Sequence, residues 1–285
     1  MAGDDHCHVD ADFFPPRRLV SDELWAVVAP LIPPRPPGRG PGGRPRVPDR
    51  SVLEGILFVL TTGCGWHDLP PELGCGSGNT AWRRLREWQR AGGWERLHRV
   101  LLDRLGQQGL IDWSAGCLDG VSVRAKKGGE LTGPNPTDRG KPGSKYHLLV
   151  DAAGVPLAAL LSAANTHDSR LLEPLLDATP AVKRPGRGRP RRRPAKLHAD
   201  KAYDFPRCRA YLRRRGILAR IARRGVETHR RLGRRRWVVE RTISWLLRYQ
   251  RLGLRYDRSE LTTSALLTLA CAHLCFKILM QQTRL

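Results

Sequence analysis

Three carboxylates have the residue type and the positions that most directly indicate chemistry in this sequence. Asp119 and Asp200 each follow a short apolar run, and Glu240 lies beside the apolar stripe of a predicted helix. Carboxylate oxygens are the ligands that Mg²⁺ prefers, and two such ions about 4 Å apart assist in-line phosphoryl transfer. We therefore predict that Asp119, Asp200 and Glu240 are catalytic residues that bind two Mg²⁺ ions, for which Mn²⁺ can substitute.

The elements that must position these carboxylates form a recognisable order. Apolar runs predict five strands and a tight hairpin turn, with helices after the third, fourth and fifth strands. This order predicts an α/β fold of the ribonuclease H-like type, with a mixed five-stranded sheet and flanking helices. Asp119 and Asp200 are expected at the ends of neighbouring strands, where open sheets bind ligands. The predicted strands are residues 115–123, 145–150, 155–163, 196–199 and 217–221.

The chain before this sheet is predicted to be a small all-α domain. Residues 1–16 are expected to be a disordered tail, residues 17–107 a helical domain, and residues 108–285 the catalytic domain. A Pro/Gly/Arg-rich linker, residues 33–48, interrupts the helices. A helix from about residue 79 to 90 is apolar on one face and basic on another, as in the recognition helix of a helix-turn-helix. The alternative is a helical bundle whose arginines are merely solvated.

The charge of the chain indicates a polyanionic partner. Lys and Arg number 50 against 27 Asp and Glu, which gives a net charge of +23. Cations near phosphates release counterions, so duplex DNA is the expected partner and a small-metabolite enzyme is disfavoured. Codon bias of a high-GC genome is the alternative origin of the arginines. The predicted DNA-binding residues are Arg83, Arg84, Arg86, Arg90, Arg139, Lys141, Lys145, Arg236, Arg241 and Arg248.

Four further side chains are candidates for supporting the carboxylates. They are His147, which lies in the second predicted strand, and His167, Asp168 and Tyr203, which follow the third and fourth predicted strands. The alternative for Asp168 is a helix cap, and a structural role is the favoured interpretation of either histidine. We predict that these residues lie around the metal ions or contact phosphate.

The expected compartment is the cytoplasm. The N-terminus is acidic and polar, unlike a signal peptide, and the seven cysteines are scattered as free thiols would be. The apolar C-terminal segment carries His273 and Lys277, so it predicts a core helix and no membrane association. No small-molecule cofactor is predicted.

Several motifs together carry a resemblance to a known family. They are Gly65-Trp66-His67-Asp68-Leu69-Pro70, Leu118-Asp119-Gly120, residues 133–145, Asn165-Thr166-His167-Asp168-Ser169, Ala199-Asp200-Lys201-Ala202-Tyr203-Asp204 and residues 239–246. Over nearly its whole length the chain resembles bacterial insertion-sequence transposases of the DDE class, in particular the insertion-sequence-five family. One departure is in the signature Tyr-x2-Arg-x3-Glu-x6-Lys. Arg236 and Glu240 fit it, whereas Gly233 and Leu247 replace the Tyr and the Lys.

The resemblance implies a function for each region. It implies that Asp119, Asp200 and Glu240 are the DDE triad, and that the N-terminal domain binds the terminal inverted repeats of the element. It implies 3′-end cleavage and strand transfer into target DNA, by at least a dimer on DNA, in a nucleoid-associated bacterial protein. Two alternatives remain: a ribonuclease H-like nuclease or resolvase, and a non-catalytic DNA-binding repressor derived from a transposase.

Overall fold

The computed structural model describes residues 18–34, 45–223 and 233–282. The predicted tail, most of the predicted linker and residues 224–232 lie outside these residues. Ser21 caps the first helix, as its Oγ accepts a hydrogen bond from the Leu24 N–H. The helices are α1 Asp22–Val28, α2 Asp49–Thr62, α3 Gly78–Arg90, α4 Gly93–Gln107, α5 Leu172–Ala178, α6 Pro206–Arg214, α7 Gly233–Leu247, α8 Gln250–Gly253 and α9 Glu260–Gln282.

A mixed sheet forms the second part of the fold. Its strands are β1 Gly116–Arg124, β2 Gly133–Pro134, β3 Pro142–Asp151, β4 Pro156–Ala163, β5 Lys196–Ala199 and β6 Leu218–Ile221. β3 is antiparallel to β1, β2 and β4, whereas β1, β5 and β6 run parallel. The predicted α/β fold is therefore confirmed, with one correction. The described sheet has six strands, because the short β2 continues the line of β4 along β3.

The position of Asp119 within β1 corrects a second expectation. Asp119 lies in the middle of β1 and pairs with Leu148 of β3, so the strand does not end there. The antiparallel partner β3 is long enough to keep β1 extended as far as Arg124. The parallel partner β5 is short, and its pairing with β1 reaches only Cys117. Asp119 therefore lies just beyond the point at which the parallel pairing stops.

The N-terminal helices pack against the C-terminal helix. Buried side chains of α2, α3 and α4 form one contiguous apolar core with the sheet and α9. Helix α9 is long and apolar enough to cross a membrane, but two thirds of its most apolar stretch is buried inside the protein. Its buried side chains therefore belong to the protein core.

The connection between α2 and α3 differs from that of a standard helix-turn-helix. Residues 63–77 join the two helices and contain two short 3-10 turns, Trp66–Asp68 and Pro71–Leu73. A helix-turn-helix uses a turn of only three or four residues. The amphipathic α3 was predicted correctly, but its placement relative to α2 is set by this longer segment.

A buried histidine connects α4 to β4 and gives stability a pH dependence. The Nε2 atom of His98 is 2.8 Å from the Pro156 carbonyl oxygen, and burial lowers the pKa of His98 to about 4. The unfolded chain binds a proton near pH 6.5, so stability is full above that pH and is lost as the pH falls towards 4.

We expect His98→Gln, which keeps an N–H donor, to remove this part of the pH dependence. Between pH 6.5 and 4.5 the free energy of unfolding should decrease by about 2 kcal/mol less than in the wild type. Denaturant titrations at the two pH values measure the difference. Equal pH dependence in the two proteins would show that His98 is protonated in the folded state.

Candidate active site

Asp119 and Asp200 come together at the edge where β5 ends. The parallel register pairs Cys117 with His198, and continuing it by two residues places Asp119 opposite Asp200. Burial is the main cause that raises the pKa of Asp119, and the charge of Asp200 adds to it. The Gly120 N–H, 2.8 Å from Asp119 Oδ1, acts in the opposite direction. Two carboxylates that influence each other in this way form a site suited to a cation.

Arg236 lies between Asp119 and Glu240. Its Nη2 atom is 3.2 Å from Asp119 Oδ2 and 3.7 Å from Glu240 Oε1. The i,i+4 pair with Glu240 follows from helical spacing. The shorter contact joins residues far apart in the sequence and could not be derived from spacing. The guanidinium therefore holds a positive charge at the place where two of the three predicted ligands face each other.

Asp119, Asp200 and Glu240 offer the type of ligand atom that a hard divalent cation binds. All three residues offer carboxylate oxygens, which Mg²⁺ and Mn²⁺ accept. In the part of the chain that the structure describes, however, no three Asp, Glu, His or Cys side chains lie close enough to share one ion. Asp200 bonds to the Ala202 N–H, and the side chain of Glu240 is 60% exposed, with Arg236 between it and Asp119. A common site therefore requires Arg236 to swing aside and Glu240 to turn inwards.

A second charged group lies on the other face of the sheet. Gly120 points away from Asp119, and a Cβ atom there would lie about 3.1–3.3 Å from the side chains of His147, Asp168 and Lys145. Lys145 Nζ is 2.8 Å from Asp168 Oδ1. The absence of a side chain at Gly120 therefore leaves room for this group. The sequence motif Leu118-Asp119-Gly120 includes this glycine, but the sequence analysis did not predict its role.

Of the four supporting candidates, Tyr203 lies within electrostatic range of both the Asp119–Asp200 pair and Asp168. It is buried, and its pKa is raised well above the usual value, first by burial and then by the charges of Asp168, Asp119 and Asp200. Its hydroxyl has no hydrogen-bond partner among the described residues. A buried phenol without a partner is suited to an acceptor that arrives with the substrate.

The two histidines make contacts within the protein. His147 is fully buried, its Nε2 atom is 2.8 Å from Ser162 Oγ, and burial lowers its pKa to about 4. It is therefore neutral at pH 7, and its role in supporting the carboxylates stays a prediction. His167 precedes the 3-10 turn that begins at Asp168, and its Nδ1 atom accepts from the Ser169 N–H.

Some of the predicted DNA-binding residues are exposed, and others contact side chains or carbonyl groups of the protein itself. Arg84 is 5% exposed and forms ion pairs with Asp49 and Glu87, so its assignment to DNA is corrected. Arg241 is half-buried between the rings of Trp237 and Trp245 and donates to a hairpin carbonyl. Arg86 is half-buried over Trp82, and Lys145 and Arg236 bind the acids described above. The remaining predicted residues are exposed: Arg83, Arg90, Arg139, Lys141 and Arg248.

Two family models match different parts of the chain. Residues 20–98 match the family described as "Putative transposase of IS4/5 family", and residues 113–275 match the family described as "Transposase DDE domain". The second match spans more than half of the chain and contains Asp119, Asp200 and Glu240. The chain belongs to the transposases with a DDE domain, as the motifs predicted.

Curated relatives agree with this family. The chain is 49% identical over 148 residues to the "Putative transposase for insertion sequence element IS402" of Burkholderia cepacia, covering 52% of this chain and 70% of the relative. A 16.2 kDa protein of the same insertion element is 51% identical over 120 residues, covering 41% of this chain and 81% of the relative. Each relative is therefore similar to about half of this chain or less.

Solved structures of Mos1 transposase are distantly similar. A paired-end complex with the left transposon end has 12% identity and a TM-score of 0.25, covering 84% of this chain and 82% of that chain. The strand transfer complex has 13% identity and a TM-score of 0.27, covering 84% and 81%. Nothing about this chain follows from so low a structural similarity.

Proposed function

We propose that this transposase binds the terminal inverted repeats of an insertion sequence and catalyses divalent-metal-dependent 3′-end cleavage and strand transfer into target DNA. The observation that carries the proposal is the meeting of Asp119 and Asp200 at one sheet edge, with Glu240 one side chain away across Arg236. The family membership favours transposition over the nuclease or resolvase alternative.

The roles of the residues follow from their positions. Asp119 and Asp200 would hold Mg²⁺ or Mn²⁺ together, with Glu240 completing the ligands. When bound, the metal ions would supply charge stabilisation for the attacking and leaving oxygens of the phosphodiester. Arg236 would leave the carboxylates and bind a DNA phosphate, since a guanidinium is suited to phosphate oxygens. The Tyr203 hydroxyl would donate a hydrogen bond to an acceptor on the DNA bound at the same sheet edge.

The function is tested by incubating the full chain with a duplex that carries one end of its own element, together with Mn²⁺ or Mg²⁺. The expected product is a cut at the element end that leaves a 3′-hydroxyl, and that hydroxyl should then join to a second duplex. Because two ends are joined in one reaction, the active species is expected to be at least a dimer on DNA. Binding of the end without any metal-dependent cut would favour the repressor alternative.

Helix α3 is the proposed reader of the terminal repeat. Its apolar face packs in the core through Leu85 and Trp88, whereas Arg83 and Arg90 are exposed at i,i+7 spacing. Side chains with this spacing lie on one face of a helix and can reach one groove of DNA.

We expect joint substitution of Arg83→Gln and Arg90→Gln to lower affinity for the terminal repeat at least tenfold, since each good base contact contributes about 1–3 kcal/mol. The preference for the repeat over random duplex should also decrease. The matched control removes two other exposed charges, Arg99→Gln and Arg258→Gln. Competition binding at fixed salt measures both proteins, and equal affinities would contradict a role for α3.

A further inference from the structure

An exposed loop of uniform positive charge lies away from the site described above. Between Val182 and Pro194 the chain carries seven basic residues and no acid, and the structure exposes all seven. We call this set the basic ridge: Lys183, Arg184, Arg187, Arg189, Arg191, Arg192 and Arg193.

The fold holds the basic ridge in a defined shape. Val182 and Arg191 exchange two backbone hydrogen bonds of 2.8 and 2.7 Å, which close a loop over the residues between them. Arg192 donates to the carbonyl oxygens of Thr179 and Asp177. Backbone closure fixes the loop base, so the cations at its tip stay close together.

The charges of the basic ridge are not neutralised by the protein. Among the ion pairs found in residues 18–34, 45–223 and 233–282, none includes a member of this set. The nearby acid Asp177 is bound by Arg215 and Tyr211, and Asp103 accepts from the Lys183 backbone. Arg192 also acts on the charge of Asp177, and Arg191 and Arg193 donate to carbonyl oxygens. Within the described residues the other four cations, Lys183, Arg184, Arg187 and Arg189, form no ion pair. Like charges this close repel one another, so an anion outside the chain is what they suit.

The basic ridge and the carboxylates lie at opposite ends of one strand. The ridge comes before β5, which begins at Lys196, and Asp200 directly follows the last residue of β5, Ala199. Four strand residues span about 13 Å. One phosphate group therefore cannot touch both places.

We propose that the basic ridge binds the backbone of a second duplex DNA segment, distinct from the segment whose phosphodiester lies at the carboxylates. This inference rests on the proposed function, because it adds a second DNA surface to a transposase. Phosphates along duplex DNA carry regularly spaced charge that a row of guanidinium groups matches. Residues 183–193 contain no large apolar side chain, which a membrane-surface segment would need.

The test compares two variants that lose the same charge. Arg187→Gln with Arg189→Gln changes the loop tip, and Arg99→Gln with Arg258→Gln is the control. The probe is a random-sequence duplex of roughly 20 base pairs, titrated at several KCl concentrations. We expect the slope of log affinity against log salt to be smaller by about 2 in the ridge variant and unchanged in the control.

The outcomes separate this inference from the proposed function. A ridge variant that cuts element ends normally but joins them to a second duplex at least tenfold less well supports the proposal. Equal salt slopes in the two variants would overturn it, even if the wild type cuts its own ends. A ridge variant that loses binding to phosphatidylserine vesicles but keeps its duplex binding would also overturn it. Failure of the wild type to cut at all would refute the proposed function instead.

Discussion

Asp119→Asn is expected to reduce metal-dependent cleavage of the element end by at least about 1000-fold. Asparagine keeps the shape of the side chain and can still accept from the Gly120 N–H, which is 2.8 Å away in the wild type. It removes the negative charge that a divalent cation requires and that Arg236 contacts. The fold should persist, because burial of Asp119 raises its pKa and a neutral side chain is easily accommodated there.

Binding and cleavage must be measured together in this experiment. Affinity of Asp119→Asn for the terminal-repeat duplex should stay within about twofold of the wild type, since exposed arginines supply the binding. Mn²⁺ binding, followed by the shift of the unfolding temperature, should be lost in the variant. Glu72→Gln, an exposed acid in the segment between α2 and α3, is the control and should cut normally. Cleavage at the wild-type rate by Asp119→Asn would remove this residue from the active site.

Arg251→Met is expected to lower the free energy of unfolding by about 3–5 kcal/mol. Arg251 and Asp257 are both nearly buried, and Arg251 Nε is 2.9 Å from Asp257 Oδ2. Arg251 also donates to the carbonyl oxygen of Cys64 at 3.0 Å, and Trp66 Nε1 donates to Asp257 Oδ1 at 2.9 Å. Loss of the guanidinium therefore leaves a buried carboxylate without its cation, at the junction between the N-terminal helices and the catalytic region.

Two further variants show whether the buried pair causes this loss. Arg248→Met removes an exposed charge three residues away and should change stability by less than about 0.5 kcal/mol. Arg251→Met combined with Asp257→Asn should recover part of the loss, because no buried charge then remains. Guanidinium denaturation followed by circular dichroism measures all three proteins. A loss below about 1 kcal/mol in Arg251→Met would contradict the assignment.

Local patterns predicted most of the elements because those patterns are set by neighbouring residues. Strand β5 was predicted at 196–199, and the predicted helix at 79–90 begins one residue earlier, at Gly78. The short β2 was missed, since two residues carry no periodicity and pair only because β3 extends past them. The motif around Trp66 was recognised, but its bond to Asp257 joins residues 191 positions apart.

The sequence by itself determined the chemistry that is available. It supplied three carboxylates with strand and helix positions, a positive charge suited to DNA, and motifs that place the chain among DDE transposases. Tertiary structure decided which charges are free to act. It buried Arg84 against Asp49, inserted Arg236 between Asp119 and Glu240, and left the basic ridge exposed. The physical reason is that residue type fixes a side chain's charge, whereas packing of distant segments fixes its neighbours and its exposure to solvent.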